Sequence, residues 1–152
     1  MKITDLINVN SICVDTDFAT PLEAIGYLTD KLCNTGKIND RKSFLDSVLE
    51  REQEGPTALG ELLAVPHGKS ASVKEPCFAL AITKAPILWQ GVDEYEPVRI
   101  IVLLAIPPEH QSSTHIALLS ELTGLLVDDD FRNTLIDSNP NQIIELISTA
   151  AA

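Results

Sequence analysis

Residues 98–106 constrain the fold of this chain more than any other segment. They are almost continuously apolar, they are rich in β-branched residues, and they end at Pro107-Pro108. The longest apolar run in the chain, residues 100–106, is far too short to cross a bilayer as a helix. The segment therefore predicts a central β-strand that is covered on both faces.

Two helices are predicted before this strand and three after it, from apolar residues at helical spacing and from residues that cap helix ends. Their predicted starts are Thr20 with Pro21 and Glu23 as a capping box, Asn39 or Asp40, Ser113 or Thr114, residues 128–130, and Asn139-Pro140. The first helix should end near Gly36, with Leu22 in its apolar stripe. A loop is predicted at residues 53–60, and short strands at residues 62–65 and 77–82. This order indicates one α/β or α+β layered domain over residues 1–152.

The charge and the cysteine content of the chain argue against several classes of function. The formal net charge is −11, with 22 acidic and 11 basic residues, which argues against nucleic acid and against an anionic membrane surface. The charge favours a basic protein partner, unless it serves only solubility. Three separated cysteines without a CxxC pair suggest reduced thiols, and the N-terminus lacks an apolar signal core. A cytoplasmic protein without membrane insertion is expected.

His67 lies in the sequence Val65-Pro66-His67-Gly68, at the exit of a predicted strand. Proline keeps the approaching chain extended, and glycine lets the backbone turn and a ligand come close. An imidazole held in this way can act as a nucleophile near neutral pH and form a covalent intermediate. The alternative is a structural or surface histidine in a turn.

Two other residues could help a histidine to handle an anion. His115 is expected in the first turn of a helix, where the backbone N–H groups and the helix dipole favour phosphate. Arg51 could bind phosphate oxygens through paired N–H groups. Each also has an ordinary explanation, as a solvated residue at a helix start or on a helix surface. His110 fits a solvated loop, and its spacing from His115 does not suit a metal pair, so no metal site is expected.

These residues resemble the signature of the fructose/mannitol-type (type 2) IIA domains of the phosphoenolpyruvate-dependent sugar phosphotransferase system. The resemblance covers nearly the whole chain. The segments that carry it are Arg51-Glu52, Thr57 with Leu59-Gly60, residues 64–68, Ala85-Pro86-Ile87, residues 98–107, Thr114-His115, Phe131-Arg132 with Leu135, and residues 143–147.

The resemblance implies an α/β fold with a mixed sheet flanked by helices on both sides. It implies that His67 accepts a phosphoryl group from the phosphocarrier protein HPr and passes it to a IIB domain or protein, which works with a membrane IIC component. His115 would contact the phosphoryl group, Arg51 would neutralise its charge, and the Thr57 hydroxyl would donate to an oxygen. No cofactor is implied.

One pair departs from the family pattern. Where the family usually has an Asn-Gly-like pair before the strand, this chain has Glu61-Leu62. The change removes the conformational freedom of glycine and adds a negative charge near an anion site. It would weaken phosphate retention or alter partner choice, unless the side chain points outward.

Two other functions remain open at this point. A regulatory nitrogen-type IIA protein would have the same architecture but would act through phosphorylation-dependent partner binding. An inert interaction domain would use Pro-His-Gly only as a turn, and it would need neither Arg51 nor His115.

Overall fold

The computed structural model describes residues 2–108 and 113–151, and the side chains of residues 113–116 and 151 lie outside this description. The described residues form a mixed sheet between two groups of helices, which confirms the predicted α/β class. The strands are β1 (Ile12–Thr16), β2 (Ala58–Gly60), β3 (Leu62–Ala64), β4 (His67–Lys69), β5 (Cys77–Gln90) and β6 (Tyr95–Ile106). The α-helices are α1 (Pro21–Asn34), α2 (Arg41–Glu54), α3 (Ser113–Leu126), α4 (Asp129–Ile136) and α5 (Pro140–Ala151).

Strand β6 is the centre of the sheet, whose order is β1-β5-β6-β3-β2. It pairs antiparallel with β5 on one edge. On its other edge it pairs in parallel first with β3 and then with β4. The chain leaves β3 and enters β4 along this one edge, so the residue after Pro66 is placed directly opposite Leu104 of β6.

The side chains of β6 alternate between two hydrophobic cores. Ile101 and Leu103 pack in the core under α1 and α2, with Leu28 and Phe44. Ile100 and Val102 face the opposite core, where α3, α4 and α5 pack. The prediction of a strand covered on both faces is confirmed, and a sheet with both faces buried explains its lack of polar alternation.

The capping residues hold the helices largely as predicted. Thr20 accepts a hydrogen bond from the Glu23 N–H at 3.2 Å, and Asp40 accepts one from the Ser43 N–H at 3.1 Å. Two details differ from expectation. The Glu23 carboxylate binds the Ala19 N–H at 3.3 Å instead of closing a box on Thr20, and the Leu22 side chain is 57% exposed.

The strand predictions were less accurate. Strand β1 was missed, and β5 continues to Gln90 instead of ending at residue 82. The continuation passes through a shift in register between Ile82 and Ile87, where the Arg99 side chain donates twice to the Thr83 carbonyl, at 3.0 and 2.7 Å. The predicted loop at residues 53–60 was also too long, because α2 runs to its end at 54 and β2 occupies 58–60.

The turn between β2 and β3 is strained. Gly60, Glu61 and Leu62 have φ angles of 81°, 56° and 67°, in the left-handed region that disfavours residues with a Cβ. The Glu61 side chain is 74% exposed, and its carboxylate lies 3.7 Å from the buried Arg132 guanidinium. Of the two sequence-based alternatives for Glu61, the structure therefore favours the one in which it points outward.

The strain at Glu61 gives a stability prediction. Glu61→Gly should be more stable than Glu61→Ala by about 1 kcal/mol, because both lose the carboxylate but only glycine relieves the left-handed backbone. Urea denaturation of the two variants measures the difference. An alanine variant at least as stable as the glycine variant would show that this turn stores no such strain.

Candidate functional site

His67 begins strand β4, and the backbone around it is fixed on both sides. The Leu104 N–H donates to the Pro66 carbonyl at 3.0 Å, and His67 Nδ1 lies 3.1 Å from the Val65 carbonyl oxygen. Because a carbonyl oxygen can only accept, Nδ1 must carry the hydrogen in this contact. The lone pair of the neutral ring is then on Nε2, which makes Nε2 the nucleophilic nitrogen.

Gly68 has a different role from the one expected. It lies within β4 and does not form a turn, and helix α2 fills the space beside it. A Cβ at this position would lie 2.5 Å from Ser47 Oγ and 2.7 Å from Val48 Cγ2. Glycine is therefore required for close packing of β4 against α2, and not for the approach of a ligand.

Gly68→Ala should destabilise the protein by about 2 kcal/mol, because the added methyl group overpacks the α2–β4 contact. Gly124→Ala is the matched control, since an added Cβ there, in the last turn of α3, meets nothing within 4 Å. The control should gain up to about 1 kcal/mol from helix propensity. Chemical denaturation measures both, and equal effects would contradict the packing argument.

A cavity of about 290 Å³ opens beside His67. Its polar lining comes from Arg51 at the end of α2, Thr57 just before β2, and Ser120 and Thr123 of α3. The structure thus brings together three of the four predicted site residues. The rest of the lining is apolar, namely Pro56, Leu59, Val65, Leu104, Ile106 and Leu119.

Arg51 is half-buried in the last turn of α2. Its Nη1 donates to the Gly55 carbonyl at 2.9 Å, which holds the side chain on the cavity wall. This bond uses one of the five N–H groups of the guanidinium. The geometry allows an anion in the cavity to bind the others, as the sequence analysis expected of Arg51.

Thr57 is 3% exposed, and its hydroxyl donates to Glu52 Oε1. A hydroxyl has a single hydrogen, so donation to a phosphoryl oxygen would require this bond to break. The backbone carbonyl of Thr57 also accepts from the Val65 N–H at 3.0 Å. In this arrangement Thr57 holds the loop before β2 to the strand that leads to His67.

Comparison with protein families shows to which family this fold belongs. Residues 5–150 match the family described as phosphoenolpyruvate-dependent sugar phosphotransferase system, EIIA 2. The chain belongs to this family. It is therefore an EIIA component, a phosphoryl-transfer protein.

Individual relatives agree with this assignment. The EIIA domain is 48% identical over 132 residues to the 2-O-alpha-mannosyl-D-glycerate-specific EIIABC component of Escherichia coli strain K12, covering 87% of the chain and 20% of that relative. The chain thus spans about a fifth of the length of this relative.

Solved structures show the same fold. Nitrogen regulatory protein IIA-Ntr from Neisseria meningitidis superposes with a TM-score of 0.80 at 24% identity, over 95% of this chain and 98% of that one. The mannitol enzyme IIA of Escherichia coli, solved in complex with phosphorylated enzyme IIB, superposes with a TM-score of 0.77 at 23% identity, over 95% and 99%.

The second histidine of the prediction lies in the first turn of α3, but the side chain of His115 is outside the described residues. Its contact with a phosphoryl group stays a prediction, and His110 lies entirely outside the described residues. Sequence reasoning missed Ser120 and Thr123, which bring hydroxyl groups from α3 to the cavity of the EIIA domain. Their only signal was a pair of hydroxyl residues three apart on a leucine-rich helix.

Two features are absent from residues 2–108 and 113–151 of the EIIA domain. Within these ranges no helix combines the length and the apolar character needed to span a membrane. Within the same ranges no three His, Cys, Asp or Glu side chains cluster in a way that could hold a metal ion.

Proposed function

We propose that this EIIA domain, residues 1–152, carries a phosphoryl group on Nε2 of His67. It takes the group from phosphorylated HPr and gives it to a IIB domain, which works in the cytoplasm with a membrane IIC component in sugar uptake. The observation that supports this proposal is the contact of His67 Nδ1 with the Val65 carbonyl at 3.1 Å, beside a cavity that Arg51 also lines.

The phosphoryl group passes from one histidine to another, so one bond to phosphorus forms as another breaks. The lone pair of His67 Nε2 forms a bond to phosphorus while the bond from phosphorus to the donor imidazole of HPr breaks, and the donor ring recovers its electron pair. Positive charge develops on the His67 ring as the new bond forms. The Val65 carbonyl, which accepts from Nδ1–H, stabilises that charge without moving. No proton has to leave His67 during this step.

Charge stabilisation is the other requirement of phosphoryl transfer. The guanidinium of Arg51 lies on the wall of the same cavity and provides positive charge for the equatorial phosphoryl oxygens. We propose that His115 donates a further hydrogen bond from the start of α3. In the second half-reaction a cysteine or histidine of the IIB domain attacks phosphorus, and the electron pair of the broken bond returns to Nε2.

The identity of 48% to a sugar-specific EIIABC component supports a role in uptake over the regulatory alternative. The likeness to the nitrogen regulatory protein, at 24% identity, supports the shared fold alone. We propose a IIB partner of the kind fused in that EIIABC relative, with 2-O-alpha-mannosyl-D-glycerate as the first substrate to test.

The test is intact mass of the purified protein after incubation with phosphoenolpyruvate, enzyme I and HPr. We expect one acid-labile phosphoryl group, with fragmentation placing it on His67 and phosphorus NMR placing it on Nε2. Omission of HPr should prevent the labelling. A protein that stays unlabelled while another EIIA domain is labelled in the same mixture would overturn the proposal.

A further inference from the structure

Glu52 follows Arg51 in helix α2, and no role was predicted for it from the sequence. Its half-buried carboxylate binds two side chains from different parts of the chain. Oε1 accepts from the Thr57 hydroxyl, and Oε2 accepts from the indole N–H of Trp89 at 3.4 Å. Trp89 is the single tryptophan of the protein and is 1% exposed, so it provides a rigid support from strand β5.

Three hydrogen bonds, joined through the covalent bonds of Thr57 and Val65, connect Glu52 to the imidazole of His67. The Thr57 hydroxyl binds Glu52, and the Thr57 carbonyl accepts from the Val65 N–H at 3.0 Å. The Val65 carbonyl in turn contacts His67 Nδ1 at 3.1 Å. Each end of the series is anchored in the sheet, at Trp89 in β5 and at His67 in β4.

The same loop is held at its other end by the neighbouring residue. Arg51 donates to the Gly55 carbonyl at 2.9 Å, while Glu52 binds Thr57, so two consecutive residues of α2 fix both ends of residues 55–57. Both Arg51 and Thr57 line the cavity beside His67. A shift of this loop would therefore move Arg51 and the Val65 carbonyl together.

We infer that Glu52 is a positioning residue for phosphoryl transfer, which holds Thr57 and thereby sets the orientation and tautomer of the His67 imidazole. The inference rests on the proposed function of His67. Glu52 does not touch the phosphoryl group itself. Its effect comes from geometry, because displacement of reacting groups by about 1 Å can slow a reaction on the order of 100-fold.

Glu52→Ala removes both contacts of the carboxylate. We expect it to lower kcat for phosphorylation by phospho-HPr between about 10- and 100-fold, with KM for phospho-HPr little changed. Glu52→Gln should recover most of the rate, because its amide oxygen can accept from Trp89 and its amide nitrogen can donate to Thr57 Oγ1. Glu50→Ala removes an exposed carboxylate from the same helix and should react like the wild type.

Nitrogen NMR of the imidazole separates positioning from a general loss of structure. In the wild type, Nδ1 should carry the hydrogen. In Glu52→Ala the spectrum should move toward a mixture of the two neutral tautomers. The melting temperature of the variant should stay above the temperature of the assay. Thr57→Val should give the same shift, and the double variant should be no slower than the slower single variant, because the two residues act through one contact.

The outcomes distinguish a failure of the proposed function of His67 from a failure of the positioning role of Glu52. If the wild type takes no phosphoryl group, the proposed function of His67 fails first. If the wild type is labelled and Glu52→Ala matches it in kcat and in its imidazole spectrum, the positioning role of Glu52 is wrong. If Glu52→Ala does not fold, Thr57→Val decides: a wild-type rate and tautomer in that variant would also overturn the inference.

Discussion

Replacement of His67 by glutamine is expected to abolish transfer of a phosphoryl group to this EIIA domain. The proposed nucleophile is the lone pair on Nε2, which the Nδ1 contact with the Val65 carbonyl at 3.1 Å leaves exposed for attack. An amide nitrogen has no comparable lone pair, because it is delocalised into the carbonyl group. Intact mass after incubation with phosphoenolpyruvate, enzyme I and HPr should therefore show no acid-labile label in the variant.

Substitution of the other two histidines tests whether the complete loss of labelling is specific to His67. His115→Gln should keep a labelled state but form it on the order of 100-fold more slowly, as expected for loss of one donor to a transition state. His110→Gln should be labelled like the wild type. Full labelling of His67→Gln would show that another residue carries the phosphoryl group. The proposed mechanism would then have no basis.

The sequence predicted the parts of the fold that depend on local chemistry. Three helices are capped as expected, by Thr20, Asp40 and Asp128. At the start of a helix the side-chain oxygen of the capping residue lies close to the N–H two or three residues later. The central strand β6 was also predicted, since burial on both faces leaves an unbroken apolar run. His67 and Arg51 were singled out from their local sequence and Thr57 through the family resemblance, and all three line the cavity.

The features that were missed depend on contacts between distant segments. Pro86 and its neighbours look like the end of a strand, but pairing with β6 carries β5 past the shift in register to Gln90. Gly68 looks like a turn residue, and only the packing of α2 shows that it must lack a side chain. The contact between Glu52 and Trp89 spans 37 positions in the chain, so no local pattern could indicate it.

Arg51→Ala is expected to slow phosphorylation of the EIIA domain on the order of 100-fold, because it removes a positive charge from the wall of a partly closed cavity. The loss should fall mainly on kcat, since charge on the equatorial oxygens is redistributed in the transition state. Arg51→Lys should recover only part of the rate. A lysine keeps the charge but cannot bind the Gly55 carbonyl and an anion with the same rigid fork.

A second arginine on the same helix provides the control for Arg51. Arg41 begins α2, pairs with Asp30 at 2.5 Å, and is about half exposed at the opposite end of the helix from the cavity. Arg41→Ala makes the same change in the net charge of the protein, so it should alter any general electrostatic attraction for HPr by as much as Arg51→Ala does. Its kcat should nevertheless match the wild type. Equal losses of kcat in the two variants would mean that net charge, and not the guanidinium beside His67, accounts for the effect.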